Sequence, residues 1–228
     1  TRVDVDELVA AGFDEIVLAT GVTPRIPDLT GVDHPRVVTY LEVLRDHAPV
    51  GKTVAILGAG GIGFDVAEYL THDTAHESHG PDPAEFNRTW GIDTSYAHRG
   101  GLTTPERTPP DRQVTLLQRK TTKVGAGLGK TTGWIHRTEL KQRGVRMLNG
   151  VNYERIDDAG VHISVDGEPE VLEVDTVVLC TGQESRRNLA ESLRAAGLPV
   201  HVIGGADEAT ELDAKRAIRQ GTELAASL

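Results

Sequence analysis

The stretch Thr53-Val54-Ala55-Ile56-Leu57-Gly58-Ala59-Gly60-Gly61-Ile62-Gly63 decides the fold. A continuous apolar strand breaks at a Gly-x-Gly-x-x-Gly turn, and Ile62, Val66, Ala67 and Leu70 then recur at helical spacing. In such a strand-turn-helix unit Gly58 permits the tight turn and Gly60 lets the backbone approach a pyrophosphate. Gly63 lets helix and strand pack closely, and Gly61 and Ile62 open the helix. The helix start offers free N–H groups and the positive end of its dipole to phosphates. A glycine-rich turn that only packs is the competing reading.

The next strand, Val114 to Gln118, ends Leu117-Gln118-Arg119-Lys120, with Lys123 close behind. A site for NAD usually places a carboxylate at this point to bond the adenosine ribose, whereas one for NADP places cations there. Three positive charges and no acid point to a 2′-phosphate, which Arg can grip bidentately. A solvated basic strand end is the alternative. Just downstream, Val124 to Thr131 imitates an NTPase phosphate loop, but Gly-x-x-x-x-Gly-Lys-Thr needs glycine where Val124 stands. No later apolar strand ends in an evident magnesium-binding Asp, so NTP hydrolysis is set aside.

Working outward, a second helix is expected from about Thr132 to Arg143, stopped by Gly144, and a third strand at Val145 to Leu148. The runs Val151 to Ile156, Val161 to Val165 and Val171 to Val174 read as an antiparallel meander with Asp166-Gly167 as a hairpin turn. Asp175 to Cys180 is another buried strand. It ends in Thr181-Gly182, as the strand Ile16 to Ala19 ends in Thr20-Gly21. Pro24, Pro27, Gly31 and Pro35 interrupt regular structure after the first of these, and Thr39 caps a short helix through Leu44. Residues 71–112 show no sustained periodicity and read as an insertion, a long loop of the kind that carries function or motion. Val200 to Ile203 leads into Gly204-Gly205-Ala206-Asp207, and Glu211 to Leu224 reads as an amphipathic helix. Together these units predict an α/β, Rossmann-like three-layer fold with a parallel sheet and an antiparallel β-meander crossover.

Composition narrows the partners. With 228 residues and 38% hydrophobic content the chain can bury one large core or two modest ones. Its 25 glycines and 4% aromatics suit tight strand-to-helix turns beside a ligand. A formal net charge of −10 argues against nucleic acid, whose binding needs a cationic surface. The one cysteine, Cys180, excludes an internal disulfide, a thiolate-held iron–sulfur cluster within this chain and a dithiol redox pair; it reads as a buried, inert thiol. A reducing, cytoplasmic compartment is expected. No apolar run approaches the roughly 20 residues of a membrane span, and no signal peptide precedes Thr1. The start at Thr1 reads as lying inside a domain, with something upstream expected. His34, His47, His98, His136, His162 and His201 are read as solvent or core histidines. His72, His76 and His79 cluster in the insertion without forming a metal site.

The Gly-x-Gly-x-x-Gly turn, the Leu117-Gln118-Arg119-Lys120 strand end, the string from Gly127-Leu128-Gly129-Lys130-Thr131-Thr132 through Gly133-Trp134-Ile135-His136-Arg137, and Ile203-Gly204-Gly205-Ala206-Asp207 together resemble the bacterial 2,4-dienoyl-CoA reductases, iron–sulfur flavoproteins related to old yellow enzyme. The resemblance covers essentially the whole chain. It implies FAD/NAD(P)-binding domains in which an NADPH domain at 48–182 is inserted between FAD-domain pieces at 1–47 and 183–228. It also implies upstream domains of the same polypeptide, carrying FMN and an iron–sulfur cluster, that are expected to be missing here, and an incomplete FAD site. Asp207 would bond the flavin ribitol, although a helix cap is its alternative role. Ala19, Thr20, Gly21, Thr181, Gly182 and Gly205 would lie beside FAD, and Trp134 near NADPH, although Trp134 reads equally well as a core residue. The implied function is an electron-input module for fatty-acid β-oxidation that passes hydride from NADPH to FAD. No catalytic acid or base is needed, because the protein stacks and tunes the two rings. Two other roles stay open: an adenine-nucleotide-binding structural domain, as in trimethylamine dehydrogenase, and the reductase half of a related enoate or flavin oxidoreductase. Oligomeric state is not legible.

Overall fold

The structure, a computed structural model, describes residues 2–72, 82–210 and 213–228. His76, His79 and Glu211, the expected start of the last helix, lie outside the described residues. The chain divides into two compact units, Thr1–Arg25 with Thr181–Leu228, and Ile26–Cys180.

The Ile26–Cys180 unit is built on five parallel strands. They are β3 (Val37–Thr39), β4 (Thr53–Leu57), β5 (Gln113–Leu117), β6 (Arg146–Leu148) and β10 (Thr176–Leu179), in the order β3-β10-β4-β5-β6. The continuous apolar runs of β4 and β10 follow from the layers on either side of them. Val54, Ile56, Val114, Leu116 and Val178 face one core with Phe64, Val66, Ala67 and Leu70 of α3 (Gly61–Thr71) and Leu140 of α5 (Gly133–Gln142). The alternate residues Ala55, Leu57, Leu117, Val177 and Leu179 face a second core beneath the meander β7 (Val151–Asp157), β8 (Gly160–Val165) and β9 (Glu168–Leu172). Each fully buried Val, Leu, Ile or Phe contributes roughly 1.5–3 kcal/mol, so both faces of the sheet stabilise the unit. Asp166 and Gly167 turn the β8–β9 hairpin with φ of 52° and 87°, the two positive values that a type I′ turn requires.

Two elements of this unit lie outside the expectation. The strand β3 has only three residues and follows Pro35, yet it hydrogen-bonds to β10 at the sheet edge. Residues 26–47 therefore pack with this unit, through β3 and through the helix α2 (Tyr40–Leu44), where Thr39 and Glu42 form the capping box. Within the insertion, α4 (Pro83–Trp90) is started by Asp82 and Pro83 and stopped by Gly91 at φ 65°. It buries no residue, so no apolar stripe announces it. The excursion leaves the end of α3 and returns at the start of β5; because β4 and β5 are parallel, it emerges at the amino end of the sheet.

The other unit pairs β1 (Ile16–Leu18) with β12 (Val200–Val202) in parallel, and β2 (Val22–Pro24) with β11 (Gln183–Ser185) in antiparallel. Its core joins Ile16 and Leu18 to Ala190 and Leu193 of α6 (Ala190–Ala195) and to Val5 and Leu8 of α1 (Val5–Ala11). The last helix, α7 (Ala214–Ala225), is capped by Asp213, whose carboxylate accepts from Arg216 N at 2.7 Å.

Candidate functional site

The glycines at the β4–α3 turn have three different jobs. Gly58 has φ 112°, a region closed to other residues at little cost. A Cβ on Gly63 would stand 2.0 Å from the Gly58 carbonyl oxygen, so helix and turn touch there through bare backbone. At Gly60 and Gly61 a Cβ would meet nothing within 4 Å, and this face of the turn is open. Gly60 is the N-cap of α3 and supplies no side chain to it, and the first turn holds no acid. The leading N–H groups of the helix, those of Gly61, Ile62 and Gly63, therefore have no side-chain cap, and such an open helix start is chemically suited to an anion such as a diphosphate. The turn sits at the carboxyl end of the central strand β4, which is flanked by β10 and β5.

Next to it, Gly58 N donates to Leu117 O at 3.0 Å, which locks the turn against the exit of β5. Tyr153 of β7 donates its hydroxyl to the same carbonyl at 3.2 Å, and burial pushes this phenol up to about 12. Beyond β5 the chain is held by its backbone. Gln118 Nε2 donates to the carbonyls of Lys120 and Thr122, Asn149 Nδ2 to that of Thr121, and Gly150 N to Lys120 O. The side chains of Arg119, Lys120 and Lys123 stay exposed, and none forms an ion pair with a described residue. Arg119 also lines a recess of about 170 Å³ with Pro27, Asp28, Leu29, Asn152 and Tyr153.

The distinctive glycine-rich string has a structural share. Gly125, at φ 73°, packs where a Cβ would lie 2.7 Å from the Phe64 ring in the first turn of α3. Gly133 likewise leaves room for Leu128, and Arg137 Nη1 holds Gly125 O at 2.9 Å. His136 Nδ1 meets Glu68 Oε1 at 2.6 Å, joining α5 to α3. Trp134 is 58% exposed at the start of α5, which rules out the core role. Cys180, at the end of β10, is buried, and desolvation followed by the charge of Asp65 pushes its thiol up to about 12, so it stays protonated and inert.

In the other unit, Ala19 and Gly205 line a recess of about 360 Å³ with Ile203, Gly204, Asp213, Ala214 and Ala217. Asp207 is not the N-cap of α7, which is Asp213; it closes the 3₁₀ turn Gly204–Ala206, its N–H donating to Gly204 O at 3.1 Å. Its Oδ2 accepts from Gln220 Nε2 at 2.8 Å, while Gln220 Oε1 accepts from Gly204 N at 2.7 Å, so one amide of α7 ties Asp207 to the 3₁₀ turn Gly204–Ala206. The two Thr-Gly strand ends are structural ties: Thr20 Oγ1 donates to Arg186 O, and Thr181 Oγ1 donates to Arg25 O at 2.8 Å. Gly21 and Gly182, at φ 73° and 111°, turn the chain after each. Gln220 and Tyr153 were not anticipated, because their partners Gly204, Asp207 and Leu117 lie 13 to 36 residues away and leave no local pattern; Asp213 was missed because the last helix was expected to start at Glu211, and Asp28 because the fold alone brings its segment beside Arg119. Among the described residues no group of three or more His, Cys, Asp or Glu could hold a metal, and no helix is long and apolar enough to cross a membrane.

Comparison with known proteins adds relatives to this geometry. Over 194 residues the chain is 24% identical to a metal reductase of Desulforamulus reducens, covering 85% of this chain and 28% of that protein. A 2-naphthoyl-CoA reductase in complex with 2-naphthoyl-CoA shares the fold at a TM-score of 0.76 and 21% identity, over 100% of this chain and 29% of the other. A 6-hydroxypseudooxynicotine amine oxidase of Pseudomonas geniculata follows at 0.72 and 20%, over 98% and 30%. The chain thus spans under a third of the length of each. The profile of one family, pyridine nucleotide-disulphide oxidoreductase, matches residues 2–213. A Rossmann-like unit with an open glycine cradle and this match have one meaning: the chain belongs to the pyridine nucleotide-disulphide oxidoreductase family, whose domains bind FAD and NAD(P) in electron-transferring oxidoreductases.

Proposed function

We propose that this chain is the NADPH-binding electron-input module of a multidomain flavin and iron–sulfur reductase of the 2,4-dienoyl-CoA reductase type. The observation that carries the reading is the open cradle at Gly60 and Gly61 beside a strand exit whose three cations have no acidic partner among the described residues. The Ile26–Cys180 unit would hold NADPH, with the diphosphate on the first turn of α3 and the 2′-phosphate on Arg119, Lys120 and Lys123. The other unit would contribute to FAD binding through Ala19, Gly205 and Asp207, with Gln220 holding the Asp207 carboxylate in place. Bound FAD supplies the acceptor for the nicotinamide hydride. The residues of this chain then bind and orient, and no described side chain needs to move a proton. The resemblance to dienoyl-CoA reductases and the fold shared with a 2-naphthoyl-CoA reductase both favour an unsaturated CoA thioester as the final acceptor, reduced outside this chain.

Titration calorimetry tests the nucleotide. NADP⁺ should bind more tightly than NAD⁺, and Arg119→Ala should remove most of the difference, about 1.5–3 kcal/mol for a charge-assisted phosphate contact. Equal wild-type affinities would defeat the proposal and favour a domain that keeps an adenine nucleotide for structural reasons.

A further inference from the structure

The recess beside Arg119 contains a charge of the wrong sign for a phosphate pocket. Asp28 lines it together with Arg119, Asn152 and Tyr153, and Pro27 and Leu29 complete its wall. Asp28 arrives from the segment ahead of β3, far in sequence from the strand exit at Arg119. Both side chains are exposed, and neither makes a hydrogen bond or an ion pair with a described residue, so the acid and the base are not spent on each other. Tyr153 anchors the floor by its bond to Leu117 O.

The two free groups favour different ligands. A guanidinium grips a phosphate ester through paired N–H donors. A carboxylate only accepts: it can bond the 2′-hydroxyl of NAD, but it repels the roughly −1.5 to −2 charge of a phosphate monoester at neutral pH. Building on the NADPH reading of this site, we infer that Asp28 is a specificity-determining residue that opposes Arg119, narrows the preference for NADP and keeps NAD admissible. The recess is then a balanced ribose pocket in which one residue of each sign reads the same 2′ position.

Calorimetry on the full chain tests this with NADP⁺ and NAD⁺ against the wild type, Asp28→Asn and Asp28→Ser. Removing the charge should tighten NADP⁺ by about 3- to 10-fold at low salt and weaken or leave unchanged NAD⁺, and the gain should shrink toward 0.5 M salt as the repulsion is screened. A packing effect would not vary with salt in this way. Neutral behaviour of both variants, or equal shifts for the two nucleotides, overturns the inference while a wild-type preference for NADP⁺ leaves the NADPH reading standing. If the wild type binds both nucleotides alike and Asp28→Asn still opens a gap, the role of Asp28 holds and the stated NADPH preference fails. Binding of neither nucleotide sinks both.

Discussion

Gly60 and Gly63 stand three residues apart in one motif, yet a methyl group would have opposite effects on them. On Gly63 it collides with the Gly58 carbonyl at 2.0 Å, backbone against backbone, so Gly63→Ala should cost about 1–3 kcal/mol or more and lower the melting temperature. On Gly60, at φ −81° and with nothing within 4 Å, it fits without strain but stands where a diphosphate would lie. Gly60→Ala should therefore melt like the wild type and bind NADP⁺ at least about tenfold more weakly, a loss of about 1.4 kcal/mol. Differential scanning calorimetry and nucleotide titration separate the two; a Gly60→Ala chain that binds normally would show that the cradle is not used. The close packing at Gly63 and the open space at Gly60 were legible in the sequence because the turn is local. Asp28, Gln220 and Tyr153 were not, since each meets or faces a residue 13 or more positions away.

Among the elements, the sheet was the readable part, for β4, β5 and β10 are apolar on both faces and the meander has its hairpin residues in place. What stayed hidden were β3, too short to show a pattern, and α4, whose capping signals accompany no buried stripe. Burying β10 and β7 also has a cost in alkali. Tyr153 and Cys180 both rise to about 12 in the folded chain, from 10.0 and 9.0. The unfolded chain therefore loses these protons first, and stability present below pH 9 is lost as pH climbs from 9 toward 12. Denaturant midpoints measured at pH 8, 10 and 11 should fall steadily for the wild type and less steeply for Cys180→Ala and Tyr153→Phe. Tyr153→Phe should start about 1 kcal/mol lower at pH 8, having lost the bond to Leu117 O. An unchanged alkaline slope in both variants would mean that other groups carry the effect.

For the whole molecule, the two units differ in how the chain builds them. Ile26–Cys180 is one unbroken segment with two cores of its own, whereas the other unit draws on both ends of the chain. A fragment of residues 26–180 should accordingly fold by itself, with a cooperative thermal transition and near-ultraviolet circular dichroism, and it should keep most of the NADP⁺ affinity. A non-cooperative melt would show that its cores need the remaining residues. The excursion between α3 and β5 gives the same unit a practical property. It departs from the amino end of the sheet, opposite the glycine turn, and its return segment is exposed at Thr108 and Pro109. A fluorescent reporter spliced between those two residues would ride on the rear of the unit, leaving the proposed coenzyme site clear and making this loop a natural graft point for a redox biosensor.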